Sequence, residues 1–355
     1  MPFLITAAER TLYMNNSRIH AITVGNSLIK AQVITDIQSA FCITHGGRFH
    51  ADDLFAAAIM LLVFSFTEPE NETFKVARAL TTDDISNANG VTFDIGGGEF
   101  DHHQKGGNGY HSNGVPYAAF GLIFRQFGKD VISKVVNSTD TNIINPIFDR
   151  LENSIVSTVD ACDNGESGVD SRKYHIVSMS EYISARYMSC EITRHNLTND
   201  DYNEQFLFAL EEVTTYLVIT IKKEFHLIQG DQKVVKLLND SDDNILVLDD
   251  DLPYRNALIN HPKGSSIQLV IKPSIRGGFQ LCSIPKIGIK TPNDSFKVAF
   301  PQEWSGESGH KLQELTHCGS AIFCSNDRRF LVCETKEGAL ELARNLLQQQ
   351  NSNTA

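Results

Sequence analysis

The sequence lacks the features of a secreted or membrane protein. Its seven cysteines are odd in number and include no Cys-x-x-Cys pair, which favours reduced thiols in a cytosol-like compartment over a disulfide framework. The longest apolar stretch runs from Leu54 to Phe66 and is too short to cross a bilayer. The N-terminus has no basic region followed by an apolar core, which a secretory signal needs. We therefore expect a cytoplasmic protein without a membrane partner, and organelle targeting by residues 1–38 stays open.

Positive charge is also scarce. The chain has 31 lysines and arginines against 43 aspartates and glutamates, which gives a formal net charge of −12. This balance argues against sequence-independent clamping of duplex nucleic acid, which requires a broad basic surface. The argument is weaker for an enzyme that grips one strand end or a short fragment, because bound metal cations then supply local positive charge.

The 355 residues are enough for two domains, and apolar strand and helix patterns alternate in the first part of the chain. The predicted strands are Phe41–Thr44, Thr73–Leu80 and Val91–Ile95, and the predicted helices are Asp52–Phe66, Val115–Phe127 (stopped by Gly128) and Asn142–Cys162. This alternation predicts an α/β domain over residues 39–225. Its parallel sheet should bind ligands beyond the carboxyl ends of the strands.

The pattern changes after a predicted helix at Tyr202–Phe225. We expect a linker region at 226–243, a smaller α+β domain at 244–350 and a disordered tail at 351–355. The predicted strands of the second domain are Ile245–Leu248, Ile267–Ile271, Phe279–Ile284, Ala321–Cys324 and Phe330–Cys333, before a closing helix from Lys336 to about Gln349. Residues 1–38 are an N-terminal extension of unknown role. They fit either a strand pair around Val24-Gly25-Asn26 or a targeting tail.

Three polar clusters follow predicted strands or helices of the first domain. They are His45-Gly46-Gly47-Arg48-Phe49-His50-Ala51-Asp52-Asp53, then Asp94 with Gly96-Gly97-Gly98 and Asp101-His102-His103, and finally Asp160-Ala161-Cys162-Asp163. Carboxylate oxygens and imidazole nitrogens are ligands for Mn²⁺, and carboxylates also suit Mg²⁺. A two-metal site needs one bridging carboxylate and several terminal ligands. The clusters therefore predict a metal-dependent hydrolase.

Within such a site, Asp94 best suits the bridging role because it ends a strand before glycines that allow a sharp turn. His45, His50 and Asp52 come from the first loop, His102 from the next loop, and Asp160 from a helix face. His103 is predicted to hydrogen-bond the phosphate and Asp101 to orient an imidazole. Arg48, Gln104 and Lys105 are predicted phosphate or substrate contacts.

Each cluster alone also has an ordinary structural explanation. Paired loop histidines are usually surface residues, three glycines can form only a tight turn, and Asp160 and Asp163 three residues apart fit a solvated helix face. However, five of the twelve histidines fall within residues 45–111, mostly beside acidic residues or glycines at predicted strand ends. This clustering favours a joint site.

With these motifs in place, the chain resembles the DHH phosphoesterase superfamily, named for the triplet that stands here as Asp101-His102-His103. More narrowly, it resembles the melanocyte-proliferating-gene family, once called metal-dependent protein hydrolases and now regarded as 3′-5′ RNA exonucleases. Further matching segments are Thr44–Asp53, Phe93-Asp94-Ile95-Gly96-Gly97, Ala119–Ile123, Val159–Gly165, Leu252-Pro253-Tyr254, Pro301–Trp304, Ala321–Cys324 and Thr335–Leu340. The resemblance covers roughly residues 40–349.

The resemblance implies a DHH domain with two divalent metal ions, Mn²⁺ first and Mg²⁺ as the alternative. One ion would be held by His45, His50 and Asp94, and the other by Asp52, Asp94, His102 and Asp160. Asn164, in the last matching motif of the first domain, and Arg276, in a glycine-containing segment of the second, complete the expected substrate-binding set.

The sequence thus leads to one main hypothesis and two alternatives. The main hypothesis is a metal-dependent phosphodiesterase that acts as a 3′-5′ exonuclease on RNA or short oligonucleotides, with water activated between two metals. One alternative is hydrolysis of a small phosphate compound such as pyrophosphate, a nucleotide or a cyclic dinucleotide. The other is a non-catalytic metal-binding adaptor. The oligomeric state is open.

Overall fold

A computed structural model describes residues 19–24, 27–85, 88–166, 176–193, 197–240, 243–286 and 296–354. The first 18 residues of the predicted extension and Ala355 of the predicted tail lie outside the described residues, as do Gly25 and Asn26. The chain divides into two compact units, Met1–Phe225 and His226–Ala355. Each unit contains one β-sheet together with helices, so the protein belongs to the mixed α/β class.

The sheet of the first unit has the strand order β1-β2-β4-β3-β5. The strands are β1 (Ile19–Val24), β2 (Ser27–Ile34), β3 (Cys42–His45), β4 (Thr73–Ala79) and β5 (Val91–Thr92). The pairings of β2 with β4, β4 with β3, and β3 with β5 are parallel, whereas β1 pairs antiparallel with β2 at the edge. Residues 19–24 and 27–34 of the N-terminal extension therefore form the strand pair, the first of its two predicted alternatives, and belong to this sheet.

The helices of the first unit follow the predicted order but differ at their ends. They are α1 (Ala51–Thr67), α2 (Ala119–Val136), α3 (Thr141–Leu151), a π-helical turn (Glu152–Val156), α4 (Ser157–Asp163) and α5 (Met179–Thr193). Gly128 does not stop α2, contrary to the prediction. Its missing side chain leaves room for the Phe124 ring, and the helix ends at Asn137, which has the left-handed φ of 50°. The predicted helix at 142–162 is interrupted by the π-helical turn.

The core of the first unit is centred on α1. Residues Leu54 to Leu62 are all essentially inaccessible to solvent, which is typical of a helix that is apolar on every side and buried. The ring of Phe55 stacks on Phe120 of α2, with the ring centroids 4.9 Å apart. This burial fixes the first turn of α1 and its acidic residues against the carboxyl ends of the strands.

Helix α6 (Asn199–Asp240) begins in the first unit and continues into the second. Residues 226–240 of the predicted linker region are therefore helical. The second sheet has the order β6-β7-β8-β10-β9, with only the β6–β7 pairing parallel. Its strands are β6 (Ile245–Val247), β7 (Leu269–Pro273), β8 (Phe279–Ser283), β9 (Ala321–Cys324) and β10 (Phe330–Cys333), with the helices α7 (Arg255–Asn260), α8 (Gly309–Thr316) and α9 (Lys336–Thr354).

Alternate residues of this second sheet enter two apolar cores. Leu269 and Ile271 pack with Trp304 and Leu342 on one face, whereas Val270 packs with residues of α6 and α7 on the other. This alternation is what a strand covered on both sides requires. Helix α9 extends to Thr354, beyond its predicted end near Gln349. No helix within the described ranges combines the length and hydrophobicity that a membrane span needs.

Candidate metal centre

The site begins where two parallel neighbouring strands end. His45 is the last residue of β3, and Asp94 follows β5 by two residues. Because β3 and β5 are paired in parallel, their carboxyl ends meet at one edge of the sheet. Asp94 has a φ of 59°, a left-handed conformation that aspartate tolerates better than most residues, and its backbone N–H donates to the Phe100 carbonyl at 3.0 Å.

The two carboxylate oxygens of Asp94 face two different sets of side chains. Oδ2 lies 3.2 Å from Nε2 of His45, whereas Oδ1 lies 3.2 Å from Nε2 of His102 and 3.3 Å from Nδ1 of His103. Asp94 is 3% exposed, so neither oxygen is well solvated. A carboxylate with one oxygen directed to each side is the arrangement that a bridging ligand requires.

The first set of ligand atoms contains His45, Asp53 and Asp94. Oδ1 of Asp53 accepts a hydrogen bond from the His50 backbone N–H at 2.8 Å, which caps the first turn of α1. Its Oδ2 lies 3.4 Å from Nε2 of His45. The His45 Nδ1 lies 3.1 Å from the Gly46 carbonyl, so an Nδ1–H donated there leaves Nε2 for a cation.

The second set surrounds His102. Its Nε2 lies 3.2 Å from Oδ2 of Asp163 and 3.8 Å from Oδ2 of Asp52. His50 lies at the exposed edge of this set, where its Nδ1 is 3.7 Å from Oδ1 of Asp163. His50, Asp52 and Asp163 form a further group of potential ligands, and Asp94, His102 and His103 form another.

Several buried atoms of these residues fit a divalent cation. Within the part of the chain that the structure describes, Oδ1 of Asp52, Oδ2 of Asp53 and both oxygens of Asp94 are buried without a hydrogen-bond partner. Such oxygens are costly unless something polar or charged contacts them. Metal–ligand bonds of about 2.1 Å place adjacent ligand atoms of an octahedron roughly 3.0 Å apart, close to the separations found here. The ligand groups contain four carboxylates, whose total charge of about −4 when ionised balances two divalent ions. They belong to Asp52, Asp53, Asp94 and Asp163.

The same crowding changes the pKa values of the metal-free site. Burial lowers the pKa of His45 and His102, but the charges of the adjacent aspartates outweigh it and raise these values to about 9 and about 10. Burial, together with the charges of Asp94 and Asp163, raises the pKa of Asp52 well above its usual value. The cluster therefore retains protons in positions that a cation would take over.

Arg78, at the end of β4, supports the loop between β3 and α1. Its guanidinium donates to the Gly47 carbonyl and to Oδ1 of Asn203, both at 2.9 Å, and lies 4.5 Å from the centroid of the Phe206 ring. Asn199 of α6 accepts a hydrogen bond from the Gly47 N–H at 2.9 Å. The first turns of α6 and the buried Arg78 therefore hold the glycines that follow His45.

We expect Arg78→Lys to lower the free energy of unfolding of the first unit by about 2–3 kcal/mol, because an ammonium cannot make both hydrogen bonds and stack on a ring. The loss should appear as a lower midpoint in thermal unfolding of the metal-free protein. Arg125→Lys is a matched control. Arg125 is exposed and lies 4.9 Å from the centroid of the Tyr117 ring, so its change should cost well under about 1 kcal/mol. Equal losses in the two variants would contradict the role of Arg78.

Asp101 and His103 contact each other directly. Asp101 is buried, and its Oδ2 accepts from the Gly97 N–H at 2.6 Å. Its Oδ1 accepts from the His103 N–H at 3.0 Å and lies 3.1 Å from Nδ1 of the same imidazole. The His103 side chain is 61% exposed. Asp101 thus fixes the orientation of His103 and leaves the Nε2 edge of the ring open to solvent.

Asp160, predicted as a ligand of the second ion, lies in a neighbouring cluster instead. Its Oδ2 is 2.7 Å from Nε2 of His111, and its Oδ1 accepts from the Gly121 N–H at 3.1 Å. Asp163, three residues further along the chain, faces His102 in its place. The resemblance also implies His50 as a ligand beside His45, whereas the structure brings Asp53 to His45. Asp163 and Asp53 both lie in the polar clusters of the sequence. Their spacing alone does not show which way each side chain points.

The five predicted substrate contacts are spread over both units. Arg48 and Lys105 are exposed, and Gln104 donates to the Asp101 carbonyl at 3.1 Å. Asn164 instead bonds within the protein, donating to the carbonyls of Asp160 at 2.9 Å and Pro116 at 3.1 Å. Arg276 lies exposed in the turn between β7 and β8 of the second unit.

Comparison with known proteins identifies a family profile and several relatives. Residues 41–347 match the family profile MYG1_exonuc, described as an uncharacterised protein family (UPF0160). The chain is 26% identical over 315 residues to the MYG1 protein C694.04c of Schizosaccharomyces pombe, covering 86% of this chain and 96% of that protein. It is 23% identical over 333 residues to the MYG1 exonuclease of Homo sapiens, covering 87% and 86%, and 23% identical over 335 residues to that of Mus musculus, covering 86% and 84%.

No solved structure matches the chain. The family profile, in contrast, spans most of it, including β3, every ligand group of the candidate centre and most of the second unit. The chain therefore belongs to the MYG1 family, UPF0160.

Proposed function

We propose that this protein is a metal-dependent phosphodiesterase of the DHH type, acting as a 3′-5′ exonuclease on RNA or short oligonucleotides. The observation that carries the proposal is the position of Asp94, whose two oxygens face separate imidazole sets within one buried acidic cluster. The exonuclease names of the human and mouse relatives support the reaction class. The first unit would be the catalytic domain and the second the substrate-binding domain.

In this proposal His45, Asp53 and Asp94 would hold one ion, and Asp52, Asp94, His102 and Asp163 the other. His50 stays a proposed ligand at the exposed edge, since its Nδ1 faces Asp163. Mn²⁺ is the proposed metal because the site combines imidazole and carboxylate ligands, and Mg²⁺ is the alternative. Bound ions of this kind lower the pKa of a water nucleophile and offset charge on phosphoryl oxygens.

The remaining residues position the substrate. Asp101 holds the His103 ring through Nδ1, so that Nε2 can donate to a phosphoryl oxygen when the imidazole is protonated. The exposed Lys105 and Arg48 lie on loops that also carry proposed ligands. Arg78 and the N-terminus of α6 keep the glycine loop in place. Arg276, which belongs to the second unit, is proposed to contact the RNA substrate.

The test is turnover of an oligoribonucleotide labelled at its 3′ or its 5′ end, with and without Mn²⁺. We expect the 3′ label to be released first as a mononucleotide, and only when Mn²⁺ is present. Early release of the 5′ label would reverse the proposed direction, and turnover after chelation would contradict metal dependence. Pyrophosphate, a nucleotide and a cyclic dinucleotide are tested in parallel, because the net charge of −12 favours small substrates more than long nucleic acids. If one of these small compounds is hydrolysed faster than the oligoribonucleotide, that compound and not RNA is the substrate.

A further inference from the structure

A second titratable cluster lies beside the candidate metal centre, built around the buried His111. The Nε2 of its imidazole is 2.7 Å from Oδ2 of Asp160, and the Nδ1 is 2.7 Å from Oε1 of Glu152. The His111 side chain is only 1% exposed. One imidazole thus joins two carboxylates that lie eight residues apart in the chain.

The Asp160 end of this connection also caps a helix. Helix α2 begins after Ala118, which has no side-chain oxygen to cap it. Asp160 serves instead, since its Oδ1 accepts from the Gly121 N–H at 3.1 Å. A β-carbon at position 121 would approach Oδ2 of Asp160 to 2.0 Å, so the fit around this carboxylate requires glycine. Asp160 is therefore fixed on one side by α2 and on the other by His111.

The Glu152 end lies in the π-helical turn. Residues Glu152–Val156 form this turn directly before α4, which ends at Asp163. A π-helical turn holds one residue more than an α-helical turn, so it rotates the helix that follows it, and such turns are frequent at functional sites. His111 connects the first residue of the turn to the middle of α4. His111 therefore bridges the π-helical turn, and this turn sets which residues of α4 face the metal centre.

Asp163 is the residue affected by this rotation. It lies nearly one helical turn beyond Asp160, and its Oδ2 is 3.2 Å from Nε2 of His102. With Asp160 fixed by α2 and His111, Asp163 is left facing the cluster.

We infer that His111 is a positioning residue, which holds α4 through Asp160 and Glu152 so that Asp163 is presented to the ion beside His102. The inference rests on the proposed metal centre and adds a specific consequence to it. Loss of His111 should weaken the ion on the Asp163 side and leave the ion on the His45 side unchanged. A merely structural role would lower stability without distinguishing the two ions.

The experiment is calorimetric titration of the metal-free full-length protein with Mn²⁺, for the wild type, His111→Gln, Asp163→Asn and the double variant. We expect the wild type to bind two ions. His111→Gln should weaken one binding step by about 10–100-fold, the range typical of groups that orient ligands, and it should be the step that Asp163→Asn also weakens. In the double variant the His111 change should add little, because both changes act on the same ligand.

The matched control is His20→Gln. His20 makes a similar contact in the same unit, with its Nε2 2.9 Å from Oε2 of Glu211, outside every ligand group. This variant should leave both Mn²⁺ steps unchanged. If His111→Gln does not fold, as judged by circular dichroism, Glu152→Gln must show the same selective weakening, at about 3–10-fold.

The outcomes separate the inference from the proposed function. Equal weakening of both steps, no weakening at all, or additive effects in the double variant would overturn the positioning role while leaving a two-ion site in place. A wild-type protein that binds no Mn²⁺ would overturn the proposed function itself. Weakening of a single Mn²⁺ binding step, together with little added effect in the double variant, supports both the positioning role and the proposed function.

Discussion

Asp94→Asn is expected to reduce phosphodiester hydrolysis by about 10³-fold or more and to reduce the bound Mn²⁺ from two ions per chain to one or none. The reason is geometric. Each oxygen of Asp94 faces a different set of imidazoles, so a single change removes a charged ligand from both proposed ions. Asparagine has nearly the same shape and tolerates the left-handed backbone at this position, where φ is 59°. The fold should therefore be retained.

The measurements are single-turnover hydrolysis of a labelled oligoribonucleotide and metal analysis after dialysis. Asp83→Asn is the control, because Asp83 is an exposed acid in a short 3₁₀ helix at Thr82–Ile85 of the same unit. It should keep two ions and full activity. Asp94→Asn with two ions and undiminished turnover would show that this carboxylate does not bridge the centre.

The sequence predicted the elements that carry the site better than the side chains that complete it. The apolar run of α1 and the strand before His45 are strong local signals, and both occur in the structure close to their predicted bounds. Asp94 was also placed correctly at the end of a strand, because three following glycines mark a turn. These features depend on neighbours in the chain, so a sequence pattern can reveal them.

The choice between neighbouring acids could not be made in the same way. Asp160 and Asp163 both lie on α4, and their directions depend on a π-helical turn that no local pattern of the sequence indicates. Asp160 is engaged by Gly121 and by His111, 39 and 49 residues away, respectively. Contacts of such long range are decided by packing and are not visible as a periodicity.

The pair His50 and Asp53 shows the same limitation at the start of α1. The family resemblance implies His50 as a partner of His45, but the structure turns Asp53 towards His45 while its other oxygen caps the helix. The capping pattern was readable from the sequence, because an acid three residues into a helix commonly bonds back to the first backbone N–H. The contact of the same carboxylate with His45 is not readable from the sequence.

The second large effect is a pH dependence of stability that the metal-free protein should show and that bound Mn²⁺ should remove. In the metal-free protein the pKa of His45 is raised to about 9 and that of His102 to about 10, because the neighbouring aspartates outweigh the effect of burial. Groups whose pKa is raised on folding stabilise the folded state below their unfolded pKa of about 6.5. That stabilisation is lost as the pH rises towards the folded values. Metal-free protein should therefore unfold at lower temperature at pH 9 than at pH 6.5.

Mn²⁺ offsets this trend because it competes with the same protons, so these imidazoles should leave the stability of the loaded protein nearly independent of pH between pH 6.5 and 9. Each ion must displace a proton from one imidazole, so its affinity should increase by up to about tenfold per pH unit between pH 6.5 and 9. At a fixed free Mn²⁺ concentration above the dissociation constant, this adds about 1.4 kcal/mol of stability per ion per pH unit. The measured quantity is the difference in unfolding temperature between loaded and metal-free protein, which should widen with pH. Groups that titrate alike in the loaded and the metal-free protein cancel in this difference.

Proton release gives an independent measure of the same linkage. Titration with Mn²⁺ at pH 7 in two buffers of different ionisation enthalpy should report about one proton released per ion, and more if Asp52, whose pKa is raised by burial and by its acidic neighbours, is also protonated. His45→Gln should remove one proton from the total, because glutamine carries none to displace. His310→Gln, at an exposed imidazole on α8 of the second unit, should leave the total unchanged. Binding of two ions without proton release would contradict the raised pKa values of His45 and His102, because a neutral imidazole has no proton to lose at the nitrogen that binds the ion.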